Sequence, residues 1–184
     1  RSRGLGDVYK RQLSVNVYSR SPKVRLYLNG KLIGEKETGK ENYTATFEVP
    51  YEPGILKAVN SKGKEEFILK TAGEPVAIRL TADRNTIKAC KNDLSYVKIE
   101  LVDKDGNVVP DTSLPVKIAC SGKGTVIASG NAAYDDMKSF RSLTPNTFRG
   151  RAIAIVQPTE EKGEIRVTVS AEGMEDASVL IHAE

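Results

Sequence analysis

The chain has no tryptophan, a single histidine and only two cysteines, and each scarcity removes a kind of chemistry. The lone histidine, His182, cannot build a histidine-rich metal site, and a catalytic triad would need a serine and an aspartate to converge on it. Without tryptophan, any sugar-stacking platform falls to Tyr18, Tyr27, Tyr43, Tyr51 and Tyr134. Strand and loop tyrosines mostly serve packing, so direct glycan binding is not expected. Cys90 and Cys120 match no metal-ligand spacing. They read as two reduced, partly buried thiols, and a bridge between them would need an oxidising compartment. No apolar run approaches ~20 residues, so no membrane-spanning helix is expected. No glycine-rich phosphate loop is found outside an aperiodic leader, and no cofactor is expected.

What the chain does have is strand grammar. In residues 93–110, DLSYVKIELVDKDGNVVP, Ser95, Val97, Ile99 and Leu101 alternate with Tyr96, Lys98, Glu100 and Val102. That is the period-two pattern of a strand with unequal faces. Asp103-Lys104-Asp105-Gly106-Asn107 supplies turn chemistry, and Val108-Val109-Pro110 is expected to resume the strand. The same grammar predicts a first block, residues 13–73, with strands over 13–19, 23–29, 31–37, 43–49, 55–60 and 65–71. Asn29-Gly30 is a two-residue hairpin signal, and Ser61-Lys62-Gly63-Lys64 is another short turn. Thr71–Pro75 reads as the linker. A second block, residues 74–184, is predicted to hold strands over 76–82, 96–102, 115–121, 125–128, 149–157, 164–171 and 177–182, a count that fits an immunoglobulin-like sandwich. The expectation is therefore an all-β chain of two consecutive β-sandwiches. The connection from Gly130 to Asn146 is long enough to suggest a role beyond joining strands.

Charge gives little direction. The net charge is +4 and the pI about 9.0. Residues 1–12, RSRGLGDVYKRQ, carry +3 of it, from Arg1, Arg3, Lys10 and Arg11 against Asp7. They have no strand or helix period and resemble translated adaptor sequence from the ends of metagenomic reads, so they are expected to be a non-native leader. Without them the remainder stands near neutrality, and a nucleic-acid reading loses its support. The chain does not begin with methionine and shows no charged-then-apolar leader, so its native N-terminus is expected to lie elsewhere.

The remaining candidates for chemistry have plainer explanations. Asp103–Asn107 opens like a calcium loop, but the sixth and twelfth positions, which need Gly and Glu, are Val108 and Leu114. A hairpin turn is the expectation. Asp135 and Asp136 are adjacent, whereas glycosidase carboxylates face each other across a sugar. They read as a solvated loop. Asn42-Tyr43-Thr44 is a glycosylation sequon that matters only in a eukaryotic secretory setting.

Two stretches together resemble a known family. Val24-Arg25-Leu26-Tyr27-Leu28-Asn29-Gly30-Lys31 and Val49-Pro50-Tyr51-Glu52-Pro53-Gly54 are similar to the small sandwich that follows the catalytic barrel in many bacterial family 2 glycoside hydrolases, chiefly β-galactosidases. Leu80–Arg84, Asp93–Val97, Val102–Pro110, Gly130-Asn131 and Phe148–Ala152 resemble the immunoglobulin-like C-terminal module of the same enzymes. Cys90 and the AAYDD run after Asn131 depart from the family pattern. The resemblance implies a structural role: modules that pack against the barrel of their own parent chain, a retaining β-galactosidase, in a periplasmic or extracellular bacterial setting. The family's catalytic glutamates lie on the barrel, so no catalytic residue transfers to this sequence. Tyr27 and Tyr51 are the candidates for domain docking, with packing inside their own sandwich as the equal alternative. The competing reading is an immunoglobulin-like stalk of a bacterial adhesin, which the lack of similarity between the two blocks disfavours.

Overall fold

The computed structural model describes residues 12–184. The expected leader lies outside the described residues except for Gln12, which opens the first strand. The chain is all-β and divides into two compact units between Thr71 and Ala72.

The first unit holds β1 (Gln12–Tyr18), β2 (Lys23–Leu28), β3 (Lys31–Glu37), β4 (Thr44–Pro50), β5 (Ile55–Asn60) and β6 (Glu66–Lys70). The strands form a two-stranded β1-β4 sheet and a four-stranded β3-β2-β5-β6 sheet. Alternation decides what faces inward: Val24, Leu26 and Leu28 of β2 are buried against Ala45, Phe47 and Val49 of β4. Each of these side chains other than Ala45 contributes about 1.5–3 kcal/mol on full burial. Asn29 and Gly30 both take positive φ, 50° and 81°, the I′ geometry that matches strand twist. Ile33 is left over as a bulge, since β2 pairs Leu26 with Gly34 and Tyr27 with Leu32.

The second unit is an immunoglobulin-like sandwich of β7 (Ala77–Ala82), β8 (Thr86–Ile87), β9 (Ser95–Val102), β10 (Lys117–Gly122), β11 (Gly124–Gly130), β12 (Arg151–Pro158), β13 (Gly163–Ser170) and β14 (Ala177–Ala183). One sheet runs β10-β13-β14-β8 and the other β11-β12-β9-β7. Their inner faces meet in one core around Val97, Ile99, Leu101, Val156, Ile165, Val167 and Ile181, all fully buried.

Two expectations need correction, and one strand is additional. Residues 108–110 do not resume a strand: Val108 makes a single bridge to Val102, because β9 already pairs β7 on one edge and β12 on the other. The strand placed at Arg149 begins at Arg151, because Arg149 and Gly150 form a positive-φ turn. The two-residue β8, parallel to β14, is too short for any periodicity to reveal.

Candidate functional site

The carboxylates singled out from sequence are occupied within the fold. Asp103 is 4% exposed. Its oxygens accept from Gly73 N at 2.9 Å, Asn107 Nδ2 at 3.1 Å, Asn107 N at 2.8 Å and Asp105 N at 2.9 Å. The Gly73 N–H first, then the Asn107 amide, hold its pKa down at about 2 against an ordinary 3.8. A carboxylate this committed to N–H donors closes a turn, and no metal-holding cluster of His, Cys, Asp and Glu occurs among the described residues.

Asp135 and Asp136 are separated in role. Asp136 accepts from Asn131 Nδ2 at 2.6 Å and Lys138 N at 2.9 Å, pinning the long loop, while Asp135 is exposed. His182 is exposed on β14 opposite Glu164. Cys90 and Cys120 are free thiols, and burial pushes the Cys120 thiol up.

The structure adds a carboxylate that alternation placed on the wrong side of the solvent boundary. Glu100 is 3% exposed although it sits on the outer face of its sheet. Arg79 and Arg151 are its direct cross-strand neighbours. Arg79 Nε and Nη2 donate to it at 3.0 and 2.9 Å and Arg151 Nε at 3.2 Å, with Lys98 Nζ 3.4 Å away. Burial pushes its pKa up, and the two arginine hydrogen bonds outweigh that and leave it below the ordinary value. The cluster is a cross-strand charge network, with every carboxylate oxygen engaged by protein.

Both Asp103 and Glu100 have depressed folded-state pKa values, so their stabilisation is complete above the ordinary carboxyl range and is lost as pH falls. For Asp103 the window runs from 3.8 down to about 2. The second unit should therefore melt at progressively lower temperature as pH drops through that window. Asp103→Asn should lower the melting temperature at pH 7 and flatten the decline. Calorimetry at pH 7, 4, 3 and 2 checks both, and an unchanged slope in the variant would contradict the assignment.

The first unit also presents two apolar depressions. In the first unit, Tyr51 lines a depression of about 160 Å³ with Leu13, Val49, Leu56 and Leu69. A second depression, about 240 Å³, adjoins it through shared Val15, Leu56 and Leu69 and reaches Phe67. Tyr27 stands elsewhere, half-buried on the opposite face of β2 from Leu26 and Leu28, beside Leu32 and Lys57. The structure does not bring the two tyrosines to one depression. Phe67 and Leu69 escaped the sequence reading because Glu-Phe-Ile-Leu-Lys has no alternation to show which side is covered. In the second unit the long loop exposes Tyr134, Met137 and Phe140.

Both units match known proteins. Residues 78–180 match the family described as glycoside hydrolase family 2 C-terminal domain 5. Residues 10–67 match a domain of unknown function, beginning two residues before β1 and inside the expected leader. A β-galactosidase of Bacteroides ovatus is 31% identical over 91% of this chain and 20% of its own length. A β-glucuronidase of Formosa agariphila is 27% identical over 90% of this chain and 17% of its own. The crystal structure of a glycosyl hydrolase family 2 member from Bacteroides cellulosilyticus superposes with a TM-score of 0.90 at 34% identity, over 98% of this chain and 24% of that one. The chain thus spans about a fifth of the length of the curated relatives it matches.

Proposed function

The chain belongs to glycoside hydrolase family 2, and from that membership we propose that its sandwiches are non-catalytic accessory modules supporting the catalytic barrel of a longer β-galactosidase-type enzyme. The observation that carries the reading is partial coverage in the family's order. The two units match relatives named as hydrolases over only about a fifth of their length, through a C-terminal domain. The chemistry agrees, since Asp103, Glu100 and Asp136 spend their lone pairs on backbone N–H groups, asparagine side-chain amides and arginines. A retaining glycosidase needs two carboxyl groups about 5–5.5 Å apart and facing each other across the sugar. The adhesin-stalk reading lacks comparable support, because both units match the same hydrolases.

The 184 residues alone should not hydrolyse a chromogenic aryl β-galactoside. The intact parent polypeptide should, with retention of anomeric configuration. Turnover by the purified short chain above a buffer blank would overturn the accessory role. Within this role Tyr27 and Tyr51 stand as docking residues. Tyr51→Ala should weaken the association with the parent's other domains while leaving the short chain's melting temperature in place, and Tyr27→Ala tests the opposite face in the same way.

A further inference from the structure

We propose that the apolar groove between β1 and β6 is the seat of the domain that immediately precedes β1 in the same polypeptide. This rests on the accessory-module reading and names the surface through which it works.

The groove is an unfinished core. Leu13, Val15 and Val17 of β1 form one wall, Phe67 and Leu69 of β6 the other, and Leu56 the floor. Register places all of them on inner faces. Val15 and Val17 stand opposite buried Phe47 and Ala45, and Phe67 and Leu69 stand opposite Ala58 and Leu56, which pack on the core. Yet Phe67 is 68% exposed and Leu69 54%. The cause is a mismatch in strand number: two strands lie across four, and β4 covers the β2 half while nothing described covers β6. Among the described residues both strands bounding the groove are sheet edges, because there β1 pairs only β4 and β6 pairs only β5. Apolar edges left open invite edge-to-edge association, and a contiguous exposed apolar patch marks a surface that something covers.

The occupant follows from where the chain enters. Leu13, the second residue of β1, lines the groove, so the chain enters β1 beside this surface. In the relatives about four-fifths of the chain lies outside the matched part. A tethered neighbour meets the groove at an effective concentration in the millimolar range, so this modest apolar surface is enough to hold it. The aliphatic and aromatic walls, with unpaired strand edges beside them, suit apolar side chains entering from above β6.

The test compares the 184-residue chain with the intact parent by hydrogen exchange. Peptides spanning 12–18 and 66–70 should exchange at least about tenfold more slowly in the parent, while β3 peptides should not change, because local protection follows local coverage. Phe67→Ser and Leu69→Ser should leave the short chain's melting temperature unchanged and lower that of the parent. Ile68→Ser, on the opposite face of the same strand, should alter neither. Equal exchange of β1 and β6 in a galactoside-hydrolysing parent would overturn the groove assignment alone. So would protection in the short chain that grows with its concentration, which would make a second copy the occupant. A parent with no domain ahead of β1 would defeat the accessory reading and the groove together.

Discussion

Phe47→Ala should abolish the folding of the first unit while leaving the melting transition of the second in place. Phe47 is 2% exposed at the centre of β4 and is the largest of six buried residues in its core. Truncating a buried phenylalanine costs about 3–5 kcal/mol through lost transfer energy and the cavity left behind. Domains near sixty residues bury a smaller share of their surface than larger ones and have only a few kcal/mol in reserve. Here the reserve is smaller still, because one side of the core is open. In calorimetry the lower transition should disappear and the upper one persist. Phe47→Leu, which keeps most of the volume, should only lower it. A single transition moving by a few degrees in Phe47→Ala would show that the two units melt as one.

Gly150→Ala should destabilise the second unit more than any single surface change. Gly150 is buried with φ of 70°, following Arg149 at 51°, so the two form the I′ turn that opens β12. A Cβ at Gly150 would stand 2.3 Å from the Val109 carbonyl oxygen. The backbone cannot retreat, because Gly150 N donates to Thr112 O and Gly150 O accepts from Leu101 N, each at 2.8 Å. Left-handed strain costs about 1–3 kcal/mol and a forced contact in a packed region a further ~1–3 kcal/mol. For a domain near a hundred residues this lowers the melting temperature by roughly 10 °C or more. Arg149→Gly, at the exposed position of the same turn, should be close to neutral. A shift within about 2 °C for Gly150→Ala would refute the clash, since it would mean the turn relaxes at little cost.

The legible parts of this protein share one property, which is that their information is local. Val24, Leu26 and Leu28 announce their inward face by spacing alone, and Asn29-Gly30 announces its turn by the φ values it tolerates. The illegible parts depend on residues distant in the chain. Glu100 is buried because Arg79 and Arg151 arrive from two other strands. Val108 does not extend a hairpin because β12, which begins at Arg151, takes that edge of β9. Tyr27 and Tyr51 are docking candidates through the family resemblance, but Tyr27 lies on the outer face of β2 and Tyr51 lines the apolar depression.

The sequence by itself determined the all-β class, most strand faces and most of the turns, because alternation and turn preference act over a few residues and survive in any arrangement of the strands, and its motif segments carried the resemblance to the family. Only the tertiary structure decided which edges are closed. Among the described residues β1 and β4 alone face a four-stranded sheet, so Phe67 and Leu69, as apolar as any core residue, remain in the open groove. Burial is a property of what lies opposite, and nothing in Glu-Phe-Ile-Leu-Lys records whether a strand has come to cover it.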